Sequence, residues 1–185
     1  TSGTASSCIP PPPAVWFATS GTEGALKLAA ASHAKLMLSG FGFGRVVLEL
    51  STKDVVYCPV PAWHATGFAV GVASCLVSGA RLVIPRRFSA SRFWSDVLEN
   101  QVTHIVHVGE MWRYVSEPAP RPHTVRVAIG GGMTVAEGRR VRALLSIPRL
   151  IEFYGSTELP AVMWLLAGEG GAMGHVPWRR LSRWF

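Results

Sequence analysis

A chain of 185 residues, 49% hydrophobic and 16% charged, can bury one substantial core, so a single globular domain is expected. Three widely spaced cysteines, Cys8, Cys58 and Cys75, with no C-x-x-C pair, argue against a disulfide framework and a zinc site and favour a reducing compartment. The net charge of +7, from 18 basic and 11 acidic residues, suits a polyanionic small ligand, nucleic acid or an anionic membrane equally well.

The chain opens with a Pro/Ser-rich leader, residues 1–13, whose run of four prolines favours an extended polyproline conformation. It begins with Thr, and we read it as an excerpt or processed piece of something larger, with no signal peptide in view. The strand text "AVWFA" follows, then the loop "TSGTEGALK". The same tetrapeptide TSGT opens the chain, but only the second copy has a strand before it and a lysine after it.

From Val55 short apolar runs alternate with helical patterns: "VVYCPV", the small-residue span 67–80, "RLVIP", "SASRFWSDVLENQ", "THIVHVG", "EMWRYVSE", "VRVAIG", "TVAEGRRVRALL" and "LIEFYG". That alternation predicts an α/β fold, a mostly parallel sheet with flanking helices. The span 67–80 is too short for a membrane helix, which needs about 20 apolar residues, and reads as a buried helix. Ser89 or Ser91 is expected to cap a helix with the apolar face Phe93, Trp94, Val97 and Leu98, and Thr134 with Glu137 forms a capping-box pattern.

In such sheets ligands sit beyond the carboxyl ends of the strands, so the residues after each strand are the ones to weigh. Here they are the glycine loop, the segment Pro61-Ala62-Trp63-His64-Ala65-Thr66-Gly67, the glycines Gly130, Gly131 and Gly132, and Tyr154-Gly155-Ser156-Thr157-Glu158. Hydroxyls and backbone amides can cradle phosphates and Lys27 can neutralise them. Glycines admit a flat base, Tyr154 can stack on it, and Glu158 is a hard oxygen ligand for Mg2+. Each feature alone is commonly a turn, a cap or a core neighbour; four strand ends with complementary chemistry point to a nucleotide triphosphate with magnesium.

The order of "TSGTEGALK", "PAWHATG", "GGGM" and "YGSTE" resembles the adenylate-forming ligases, and "RRFSASRFWSDV", "HVGEMWRYV" and "IPRLIEFYGSTE" resemble the fatty acid transport proteins, or very-long-chain acyl-CoA synthetases. The resemblance implies a fragment of the N-terminal domain of an acyl-CoA synthetase, with residues 14–165 a partial AMP-binding domain and 166–185 a degenerate or truncated tail. It implies an AMP-forming acid–thiol ligase. A long-chain or very-long-chain fatty acid attacks the α-phosphate of ATP to give acyl-adenylate and pyrophosphate, and the thiol of coenzyme A then displaces AMP. By the same resemblance Thr19, Ser20, Gly21, Thr22, Gly24 and Lys27 would hold the β- and γ-phosphates, Gly130, Gly131 and Gly132 would lie along the adenine, and Tyr154, with Gly155 and Ser156 in its loop, would stack on the base. Thr157 would contact the α-phosphate, Glu158 would bind Mg2+, and His64 would line the acyl entrance near the reacting carboxylate.

Departures stand beside the likeness: Glu23 replaces a usual Thr, Leu26 a usual Pro, and Leu159-Pro160 follows Glu158 where glycine and asparagine are common. A ribose-gripping aspartate and a lid-domain lysine cannot be placed after Glu158, so the chain alone is expected to be weakly active or inactive. A non-catalytic nucleotide-binding remnant or an interaction module is the alternative. Nucleic acid is not expected as a partner, because the arginines are scattered and no stacking platform accompanies them; "GGGMTV" lacks the dinucleotide-binding spacing. An intracellular site is expected, cytoplasmic or membrane-associated as at the endoplasmic reticulum or peroxisome in relatives, with peripheral membrane contact in full-length relatives. The basic, aromatic end from Trp178 to Phe185 reads as a frayed terminus, with a membrane-surface foot as its rival.

Overall fold

The computed structural model describes residues 12–20, 26–115, 119–120, 122–157 and 163–166. Most of the leader and the tail beyond 166 therefore lie outside the described residues.

Two strands, β1 (Val15–Ser20) and β2 (Leu26–Ala31), form an antiparallel hairpin in which Val15 faces Ala31 and Ser20 faces Leu26. The remaining strands are β3 (Val55–Tyr57), β4 (Arg81–Val83), β5 (His104–Val108), β6 (Val127–Gly131), β7 (Arg149–Tyr154) and β8 (Met163–Leu166). They build one sheet in the order β4-β3-β5-β6-β7-β8, parallel throughout except for the antiparallel edge pair β7–β8. The expected parallel α/β sheet is what the chain forms.

Its strands read as near-continuous apolar runs because both faces are covered. Successive side chains point to opposite faces, so Tyr57, Ile105, Ala128 and Leu150 enter one core while Val56, Val106, Ile129 and Ile151 enter the other. The first core is closed by α3 (Phe93–Glu99), a 3-10 turn at Gly109–Arg113 and α4 (Val135–Leu145), which bring in Phe93, Val97, Trp112, Val141 and Leu145. The second is closed by α1 (His33–Phe41) with its wide-turned extension Gly42–Val47, and by the helical run Gly67–Ala73 that continues into α2 (Ser74–Ser78).

The small-residue span is thus a buried helix, as expected, though its first half is wound as a π-helix. Gly67 is obligatory there, because a Cβ would collide with the Pro61 carbonyl where the helix turns back on its own leading loop.

The Thr134 capping box is present in full: the Thr134 hydroxyl accepts from the Glu137 amide at 3.2 Å and the Glu137 carboxylate accepts from the Thr134 amide at 2.8 Å. The serine cap on α3 is not formed. Arg92 occupies the N-cap, and Ser89 and Ser91 pair with each other at 3.1 Å. On that helix Phe93 and Val97 are buried and Trp94 packs at the margin, whereas Leu98 points out. Among the described residues no helix is long and apolar enough to cross a membrane.

Candidate nucleotide and acyl site

The glycine loop closes the hairpin. Thr19 and Ser20 end β1, Lys27 lies one residue inside β2 directly opposite Thr19, and the Thr19 hydroxyl donates to the Lys27 carbonyl at 3.4 Å. Residues 21–25, with Gly21, Thr22, Glu23 and Gly24, lie outside the described residues. The hairpin is seated by its other end: Phe17 is buried against Phe68, ring centroids 5.8 Å apart, and Ala31 is buried beside it, while Lys27 is exposed.

His64 sits in the loop between β3 and the helical run starting at Gly67. That loop is wound tightly, the His64 amide donating to the Pro61 carbonyl at 3.0 Å and the Phe68 amide to the His64 carbonyl at 2.9 Å. The Thr66 amide donates to His64 Nδ1 at 3.1 Å, so the neutral ring carries its proton on Nε2.

A cavity of about 110 Å³ gathers the parts. Phe17 of β1, Leu36 of α1, Val70 and Phe153 of β7 give it an apolar wall, and His64, Gly155, Ser156 and Thr157 share its polar side with Lys35. Two motifs 90 residues apart in the chain, "PAWHATG" and "YGST", therefore meet across one space. A second cavity of about 570 Å³ lies beyond the same loop. Trp63 lines it with Ile84, Met111 and Tyr114, and Arg86 and Arg87 supply cations at its wall.

The other sequence-derived residues stand apart from the 110 Å³ cavity. Gly130 and Gly131 do not follow a strand, as expected from the sequence, but form the end of β6; Gly132 follows at φ +92, a backbone state suited to glycine. Gly130 is flanked in register by His107 and Glu152, and any Cβ there would strike the His107 ring. Tyr154 ends β7 with its ring 62% exposed, open for stacking. Glu158 lies outside the described residues.

Two residues escaped the sequence reading. Lys35, on the first turn of α1, donates from Nζ to the Thr157 carbonyl at 2.5 Å. Glu152 accepts from the Met133 amide at 2.8 Å through Oε1, while its buried Oε2 has no partner among the described residues. Burial pushes the Glu152 carboxyl up, the Met133 and Gly132 amides pull it back, and the balance stays above the usual carboxylate range. Ser32, which caps α1 by accepting from the Lys35 amide at 3.2 Å, was the available signal for the helix, but nothing local announces a contact 122 residues away.

Comparison with known proteins bears on the fold and the family. The chain is 36% identical over 172 residues to long-chain fatty acid transport protein 5 of Mus musculus, covering 88% of this chain and 24% of that protein. It is 34% identical over 149 residues to the medium/long-chain-fatty-acid–CoA ligase FadD6 of Mycobacterium tuberculosis, covering 78% of this chain and 25% of the ligase. The chain thus spans about a quarter of the length of these relatives. Among solved structures, a benzoate CoA ligase from Burkholderia xenovorans superposes with a TM-score of 0.74 at 22% identity, over 88% of this chain and 34% of that one. The O-succinylbenzoate coenzyme A synthetase of Bacillus subtilis, in complex with ATP and magnesium ion, gives 0.70 at 22% identity, over 82% and 32%. These likenesses share the fold. The AMP-binding enzyme family matches residues 4–182, and the chain belongs to that family.

Proposed function

We propose that this chain is the nucleotide- and acyl-binding part of an ATP-dependent fatty acyl-CoA ligase. The observation that carries the reading is the shared wall of His64 and Gly155–Thr157 around one apolar cavity. An acid whose chain enters past Phe17, Val70 and Phe153 brings its carboxylate to the polar side of that cavity. His64 has Nδ1 already occupied and offers Nε2–H as a donor that orients one carboxylate oxygen. Thr157 offers an amide and a hydroxyl to the α-phosphate, where charge builds as the acyl–oxygen–phosphorus bond forms and the bond to pyrophosphate breaks.

The nucleotide fits what the fold offers. An adenine lying along Gly130–Gly132 would bring its exocyclic amine to the Glu152 carboxyl, whose Oε2 has no partner among the described residues, and Tyr154 supplies an exposed ring for stacking. Among the described residues no group of three or more His, Cys, Asp or Glu could hold a metal on its own. Mg2+ is commonly held by one or two carboxylates together with phosphate oxygens, which suits Glu158 as a single protein ligand for a metal arriving with ATP. When bound, the ion would neutralise charge on the phosphate oxygens. For the second half-reaction, Arg86 and Arg87 on the larger cavity suit the phosphates of coenzyme A, delivered beside the same His64 loop.

Calorimetry with Mg·ATP tests the reading. We expect binding, and a loss of about 10-fold or more in Lys27→Ala, since a charge-assisted phosphate contact is worth roughly 1.5–3 kcal/mol. No heat from folded protein would remove the nucleotide site and leave an interaction module.

A further inference from the structure

We propose that Lys35 is a positioning residue of the reaction site: its ammonium holds the Thr157 backbone in place, so that the loop at the end of β7 is presented to the nucleotide in a fixed geometry. The inference rests on the nucleotide reading above and extends it to a residue that none of the motifs contains.

Three observations carry it. Lys35 Nζ donates to the Thr157 carbonyl, a charge-assisted bond. The ammonium sits at the wall of the cavity that His64 and Thr157 share, partly buried, where a charge-assisted bond is screened less than at an open surface. Its own position is fixed from behind, because Lys35 lies on the first turn of a helix capped by Ser32, and Ser32 follows directly on β2.

The hairpin that carries the phosphate loop and the strand end that carries Tyr154 and Thr157 belong to different sheets and share no ladder. Lys35 joins them. Its bond runs from the element following β2 to the residue three beyond the end of β7. The loop is open to solvent where the strand ends, since Tyr154 and Gly155 are exposed.

Two variants of the 185-residue chain test this, Lys35→Met, which keeps the stem and removes the charge, and Lys35→Arg, which keeps a cationic donor. The first readout needs no ligand. Backbone order parameters of Gly155, Ser156 and Thr157 should be near the rigid value of about 0.85 in the parent, fall below about 0.6 in Lys35→Met, and recover in Lys35→Arg, with β5 and β6 unchanged. Equal order in the parent and Lys35→Met overturns the proposal. The second readout is Mg·ATP affinity by calorimetry, expected to drop about 10-fold in Lys35→Met and to return within about threefold in Lys35→Arg. Unchanged affinity in a chain that binds Mg·ATP also overturns it. A parent that binds no Mg·ATP sinks the nucleotide reading, and with it the positioning role, whereas the order parameters still decide whether the tether exists.

Discussion

The two ends of the parallel sheet are built differently. At the amino end, Asp54 and His104 are buried and paired. Asp54 accepts from the Ser51 amide and hydroxyl at 2.9 and 2.8 Å, from the Thr103 hydroxyl at 3.1 Å, and from the Arg126 guanidinium. His104 lies against Thr103 through Nδ1 at 2.8 Å and against the Leu48 carbonyl through Nε2 at 3.3 Å. At the carboxyl end, His107 Nδ1 and Nε2, Trp112 Nε1 and Glu152 Oε2 are buried with no partner among the described residues. Since a buried polar group without a partner costs about 1–3 kcal/mol, the first end contributes stability, and the second carries that cost beside the site proposed for the nucleotide.

The largest way to break the contrast is at Asp54. Burial pushes its carboxyl up, but the Ser51 hydroxyl and amide, His104 and the Thr103 hydroxyl outweigh that and hold it below the usual carboxylate range. Asp54→Ala should lower unfolding stability by about 3 kcal/mol, read from urea midpoints, because Ser51, Thr103 and Arg126 lose their shared acceptor. Nucleotide affinity of the protein that remains folded should not move.

Acid separates the two ends next. Burial lowers His104 to about 4, with Asp54 pulling the other way, and burial alone lowers His107 to about 3. Both take up protons more readily when unfolded, so the stability they contribute is full above the ordinary value of 6.5 and is lost as pH falls from there toward about 4 and 3. Between pH 6.5 and 5 the loss should be about 2 kcal/mol per histidine. Urea unfolding of His107→Phe at both pH values should show roughly half the parent's loss; an equal loss would show that His107 is not held neutral.

The smallest effect tests the guest itself. Glu152→Leu should weaken Mg·ATP about 10-fold in calorimetry, while Glu152→Gln, which keeps an acceptor oxygen, should stay within about threefold. Equal affinity in all three would place the base elsewhere.

Much of the sheet was legible because apolar runs bounded by turn residues have few other uses, and the Thr134 box because its chemistry is local. The hairpin's second strand was not. "LKLAAA" is built from strong helix formers, and it becomes a strand only by pairing with β1, a tertiary demand that overrides propensity. The α3 start misled for a similar reason: Ser89 and Ser91 satisfy each other and leave Arg92 at the cap. In the site, His64 and Thr157 were legible as motif residues, whereas the roles proposed for Lys35 and Glu152 depend on neighbours that the chain brings together only on folding.

The loop from Pro61 to Gly67 borders both cavities, with Trp63 lining the larger and His64 the smaller. Turn bonds and the close seat of Gly67 on Pro61 stiffen it, so it acts as a bulkhead between two compartments. A stiff bulkhead transmits little load. On the reading proposed above, each cavity could therefore exchange its occupant without reshaping the other across this loop.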